Sequence, residues 1–103
     1  MKAIIDGKRY DTETADLIHA WDNGHYGGDF RSRSKTLYHT HAGRWFIFHE
    51  GGPMTDMASA HGKSVGWGSS IEPVTPEDAF AFLTSHGGED AAERHFAFRL
   101  IDA

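Results

Sequence analysis

Two apolar runs face each other across a short polar break near the middle of the chain. Leu37 and Tyr38 open the first, Trp45, Phe46, Ile47 and Phe48 form the second, and His41-Ala42-Gly43 separates them. Aromatic and β-branched residues flanking a Gly turn predict a β-hairpin with a type I turn and a Gly bulge. With 41–43 as the loop, Thr40 opposes Arg44, His39 opposes Trp45, Tyr38 opposes Phe46, Leu37 opposes Ile47 and Lys35 opposes His49. Side chains alternate along a strand, so Trp45 and Ile47 point one way and Phe46 and Phe48 the other. Both faces are apolar, which predicts a central hairpin covered on both sides.

The flanking pattern supplies the other elements. Ala3-Ile4-Ile5 and Lys8-Arg9-Tyr10 flank Asp6-Gly7, a second hairpin signal. Over 12–22, Ala15, Leu17 and Trp21 alternate with polar residues as in a strand, while Leu17, Ile18 and Trp21 also fit a helical face. The Thr-rich entry and the closing Asn23-Gly24 favour the strand. Residues 23–35 read as a loop, with Phe30 anchoring it to the core and Arg31, Arg33 and Lys35 forming a small solvated basic patch. Residues 54–70 are rich in Gly, Ser and Ala without a clear period. Loops this long are usually functional or mobile, so a contact surface is expected here first.

Residues 71–74 form a short strand or an extended lead-in to a helix. Thr75-Pro76-Glu77-Asp78 starts that helix, with Thr as N-cap, Pro at the first position and acids in the first turn. Ala79, Phe80, Phe82 and Leu83 make its apolar face, and Gly87-Gly88 ends it. A second helix begins near Glu89 and includes Ala92 and Phe96, but Phe96, Phe98 and Leu100 alternate like a strand. The predicted fold class is α+β: a small antiparallel sheet centred on 36–49 with one or two C-terminal helices packed on it. A single domain, 1–103, is expected, with its core in 1–86 and a helical extension over 88–103.

Composition narrows the function classes. At 103 residues there is room for one modest core. No run approaches the ~20 apolar residues that span a bilayer, and the N-terminus does not read as a secretory leader, so a cytoplasmic protein is expected. The absence of Cys excludes a disulfide framework and a thiolate metal site. Residues 1–50 carry seven basic and seven acidic side chains, so the net charge of −5 lies wholly in 51–103, with three basic and eight acidic. That argues against direct nucleic-acid binding. It is compatible with an acidic face meeting a basic partner surface, but a solvated helical face is the favoured reading of such a charge run.

Eight histidines raise the question of a metal. In the register above His49 lies four residues along from His39, about 13 Å at strand rise, whereas zinc ligands lie within ~2.2 Å of the ion. His49-Glu50 is followed by Gly-Gly-Pro, so no HExxH pattern exists. No metal, cofactor or catalytic residue is assigned. Gly62-Lys63-Ser64-Val65-Gly66 spells G-x-S-x-G without the strand and helix a nucleophile elbow needs. Gly62-Lys63-Ser64 has Met57 where a phosphate loop needs its first Gly. Gly27-Gly28-Asp29-Phe30 lacks the Glu of a diguanylate cyclase signature. Trp67, a large ring among glycines, is either a lid on the core or an exposed binding anchor.

Three segments, 8–15 (KRYDTETA), 37–52 (LYHTHAGRWFIFHEGG) and 71–79 (IEPVTPEDA), together resemble a family of small uncharacterised bacterial proteins found in prophages and other mobile elements. The similarity covers most of 1–86 in the same order. The resemblance implies a setting rather than catalytic residues: such proteins are often inhibitors of host defence, anti-CRISPR proteins among them, that bind a defence complex and block it. The expectation is therefore a non-enzymatic protein-binding module that inhibits a bacterial defence complex. Its contact surface is expected to include Trp67, Glu77, Asp78, Glu89, Asp90 and Glu93. The partner is a protein, such as a nucleic-acid-binding defence complex, with no direct nucleic acid and no membrane, and the chain is a monomer or small homo-oligomer. The rivals are a His-dependent or metal-assisted enzyme using His39, His49 and Glu50, and a purely structural or homo-oligomeric accessory protein.

Overall fold

Asp6 (φ 52°) and Gly7 (φ 74°) both adopt left-handed backbone, as a tight two-residue hairpin turn requires. They join β1 (Lys2–Ile5) to β2 (Lys8–Asp11). The computed structural model describes residues 1–25, 29–52, 54–61, 64–66 and 68–102, with backbone alone over 59–61 and 64–66. The further elements are β3 (Asp16–Asp22), β4 (Arg33–His39), β5 (Trp45–Gly51), β6 (Ser59–His61), β7 (Ser64–Gly66), β8 (Gly68–Val74), α1 (Pro76–Ser85) and α2 (Glu89–Phe96). A 3-10 turn, Ala97–Arg99, follows α2. Strands β3-β4-β5-β8 form one antiparallel sheet in that order, and β1-β2 and β6-β7 form two separate two-stranded sheets. The fold is α+β. No helix among the described residues is long and apolar enough to cross a membrane.

The central hairpin has the expected register, with Lys35, Leu37, Tyr38 and His39 opposite His49, Ile47, Phe46 and Trp45. Gly43 takes φ 91°, and the Thr40 N–H donates to the Arg44 carbonyl at 2.8 Å. Its two faces are covered by different elements. On one, Leu37, Trp45 and Ile47 pack with Phe82 and Leu83 of α1 and Ala92 and Phe96 of α2. On the other, Tyr38 stacks on Phe46 at 5.1 Å and Tyr10 of β2 meets the same ring edge-on at 5.6 Å. Each large side chain buried here contributes about 1.5–3 kcal/mol.

Strand β3 explains its own double reading. Its register against β4 slips between Leu17 and His19, leaving Ile18 as the extra residue of a β-bulge. Leu17 is therefore exposed while Ile18 packs against the core. A bulge that turns consecutive residues to opposite uses produces an apolar spacing that imitates a helix.

The Thr75 hydroxyl accepts from the Asp78 N–H at 3.1 Å, capping α1 as expected. Phe80 meets Phe96 at 5.5 Å and Arg99 reaches Glu77 at 2.9 Å, so α2 runs back antiparallel to α1. Because Ala91, Ala92 and Phe96 belong to the main core, α2 is part of that core rather than an extension of it. The alternation after Phe96 continues as the 3-10 turn, not a strand, and leaves Phe98 exposed.

Three expectations are corrected. The loop after β3 is shorter than 23–35, because Arg33 and Lys35 belong to β4. Phe30 is 58% exposed and does not anchor that loop in the core. The segment 54–70 is not continuous loop: it holds β6, β7 and the start of β8, whose seven residues all pair with β5. Tertiary pairing makes Gly68-Ser69-Ser70 a strand where intrinsic preference does not.

Candidate functional site

The site grows out of strand alternation. Arg33 begins β4 opposite Gly51, on the same face as Leu37 and His39 and therefore as His49 and Glu72. Gly51 leaves the space that the Arg33 stem and the turn at 54–57 occupy. A Cβ there would stand 2.9 Å from Met57 Cβ and 3.0 Å from Arg33 Cδ, and would collide with the Thr55 hydroxyl. At Gly52 a Cβ would collide with the Phe30 carbonyl, and at Gly68 with the Met57 carbonyl. Three glycines thus let the chain fold tightly against the end of the sheet before it enters β6.

Arg33, 9% exposed, is the hub of this end. Its Nε donates to Asp56 Oδ1 at 2.8 Å, its Nη1 to the Ser34 carbonyl at 2.6 Å, and its Nη2 to His49 Nδ1 at 2.8 Å. His49 Nε2 in turn lies 2.8 Å from Glu72 Oε1. A guanidinium has donors only, so His49 Nδ1 must accept. The imidazole is therefore neutral with its proton on Nε2, donated to Glu72. The Arg33 hydrogen bonds also hold the Asp56 carboxyl below the ordinary carboxylate range. The result is one chain of contacts, Asp56–Arg33–His49–Glu72, joining three strands to the root of the β6–β7 hairpin.

Chemically these four side chains form a clamp. Both nitrogens of His49 are engaged, so neither can take a substrate proton without breaking a bond already made. The enzyme reading paired His49 with Glu50 and His39, but the carboxylate on His49 is that of Glu72. His39 lies at the other end of the sheet, its ring 4.2 Å from Trp45 and 6.4 Å from His95. Among the described residues no group of three or more His, Asp or Glu is placed to hold a metal ion. Ser64 opens strand β7, whereas a nucleophile elbow needs a turn into a helix.

The acids expected at the contact surface are all exposed. Glu77 and Asp78 occupy the first turn of α1, and Glu89 and Asp90 the first turn of α2. Since the helices are antiparallel, these pairs stand at opposite ends of the helical layer, about 15 Å apart by helix rise. Glu89, Asp90 and Glu93 stay together on α2. Glu77 is paired to Arg99, and Asp78 lines a groove of about 480 Å³ with Tyr10, Arg44 and Trp45. Trp67 lies outside the described residues, as do Gly27, Gly28, Gly62 and Lys63.

The expected basic patch does not form. Arg31 is tied to Asp29 at 2.9 Å, holding that carboxyl down to about 2. Arg33 is buried in the clamp, and the Lys35 amine sits 5.7 Å from the centre of the Trp21 ring. Sequence reasoning missed Arg33, Asp56 and Glu72. Extending the hairpin register by two residues would have put Arg33 on the His49 face; no local signal points to Asp56. Comparison of the chain with protein-family models, with curated proteins and with solved structures found no match.

Proposed function

We propose that this chain is a non-enzymatic protein-binding module that presents the β6–β7 hairpin as an arm. One observation carries the reading. Among the described residues β6 and β7 pair only with each other, as a sheet apart from the four-stranded one, yet the chain leading into them is pinned to that sheet by Arg33 and Asp56. A two-stranded hairpin is at best marginally stable in water by itself, so an arm of this kind gains order by docking on another surface. The radius of gyration of 15.0 Å, against about 13 Å for a compact chain of this length, agrees with a projecting element.

The finer reading is an inhibitor carried by a mobile element and acting in the bacterial cytoplasm on a defence complex of the anti-CRISPR type. It is supported by the resemblance over 1–86, by the three outward acids of α2, and by the position of Trp67 in the chain beside the arm. A basic, nucleic-acid-binding surface is the electrostatic complement of those acids. The test titrates purified CRISPR effector complexes with the protein and reads their binding to target nucleic acid. Stoichiometric inhibition, lost when 59–66 is replaced by a Gly-Ser linker, supports the reading. Inhibition that survives the replacement removes the arm from it, and no inhibition in any complex removes the inhibitor.

A further inference from the structure

The clamp contains a group whose hydrogen-bonding role changes with its charge. Arg33 Nη2 can donate to His49 Nδ1 only while that nitrogen carries no proton. The other side of the ring is indifferent, because Nε2–H donates to Glu72 whether the imidazole is neutral or charged. Beyond its own turn, segment 54–58 has two polar ties to the rest of the chain among the described residues. These are the Met54 N–H to the Phe30 carbonyl at 2.9 Å and the Arg33–Asp56 pair.

We infer that His49 is a proton-operated latch: when it takes up a proton, Arg33 is driven off Nδ1, and segment 54–58, with the root of the β6–β7 arm, is released. Histidine is the side chain that ordinarily changes charge between about pH 5 and 8. Once His49 is charged, two donors and two positive charges face each other at a hydrogen-bonding distance. The imidazolium stays with Glu72, while the guanidinium swings off the sheet with Asp56 still attached, whose side chain is 73% exposed, so the pair no longer holds segment 54–58 against β4 and β5.

The charges around the ring define the balance. Arg33 and Lys35 of β4 oppose protonation and Glu72 of β8 favours it. Asp56 is engaged by Arg33, which keeps it ionised across this range, so it does not open the clamp first. Glu50, next on β5, carries its exposed side chain on the opposite face. The latch goes beyond the binding reading and does not depend on it.

The experiment measures amide hydrogen exchange of 54–58 on the isolated protein at about pH 8 and about pH 5.5, corrected for intrinsic rates. Loss of a hydrogen bond from a charged donor predicts about a tenfold fall in protection at the lower pH. His49→Asn offers its side-chain oxygen where Nδ1 stood and cannot be protonated, so its protection should be the same at both. An equal pH response in wild type and His49→Asn overturns the latch. So does a ring proton on Nδ1 at about pH 8 by ¹⁵N NMR. Should the Asn variant fail to fold, Glu72→Gln serves instead. It keeps the acceptor for Nε2–H but removes the charge that favours the imidazolium, so release should move to lower pH; an unmoved transition overturns the inference. Because no partner is present, failure here leaves the binding reading standing, and failure of the inhibition assay leaves the latch standing.

Discussion

Arg33 and Gly51 face each other across β4 and β5, and the arginine stem, together with Thr55 and Met57, fills the space that a side chain at 51 would take. Gly51→Ala should therefore destabilise the fold by about 1–3 kcal/mol through overpacking. Gly43→Ala is the informative contrast, since nothing lies within 4 Å of its Cβ position and only its φ of 91° resists the change. That backbone strain is worth about 1–2 kcal/mol. In urea unfolding both variants should lose stability. Only Gly51→Ala should also raise amide exchange at 54–58.

Phe46 is fully buried, between Tyr10 and Tyr38, whereas Phe98 is 78% exposed. Phe46→Ala should lose about 3–5 kcal/mol, a large part of the roughly 5–15 kcal/mol that holds such a domain together. Phe98→Ala should stay within about 0.5 kcal/mol of wild type. Similar losses from the two would contradict the two-sided core described above.

The α1 cap is a separable contribution. Thr75→Ala removes the hydroxyl that satisfies the Asp78 N–H and should cost about 1 kcal/mol. Thr75→Ser should restore most of it in thermal melts.

His95 gives a pH dependence whose sign is fixed by geometry. Burial, with His39 and Arg94 adding to it, pushes its pKa below the ordinary histidine value of 6.5. The unfolded chain then binds the proton more readily than the folded one, so this contribution to stability is present above about pH 6.5 and is lost as the pH falls through that value toward the folded-state pKa. Melting temperature should decline as the pH is lowered from about 8 to about 5, and less steeply in His95→Gln. An unchanged slope in that variant would assign the decline to other groups.

The sequence was most legible where local and long-range preferences coincide. Gly43, the aromatic runs on either side of it and the alternation of their side chains settle the central register, and Thr75-Pro76 announces α1 through backbone chemistry within one turn. Trp45 and Phe46 could be assigned to opposite faces for the same reason. Residues 16–22 were harder because the bulge at Ile18 breaks the alternation that identifies a strand. Arg33 was misread because RSRSK has the composition of a solvated loop. Its burial depends on Asp56, Gly51 and Glu72, brought to it by the turn after β5 and by the pairing of β8, and no window of neighbouring residues contains that information. The acids of α1 and α2, close in sequence, are separated by the antiparallel return of the second helix.

That separation makes the two acidic groups individually testable. Reversing Glu89, Asp90 and Glu93 together should weaken binding of an inhibited complex by about tenfold or more and flatten its salt dependence. Reversing Glu77 also breaks its pair with Arg99, so a stability measurement must accompany that variant.

One titration tests the β6–β7 arm directly as the contact element. The affinity of an inhibited effector complex is measured for wild type and for the protein with 59–66 replaced by a Gly-Ser linker, alongside the melting curve of each. The predicted result is a loss of affinity of about a hundredfold or more with the main unfolding transition retained. Equal affinity from an equally folded variant would contradict it.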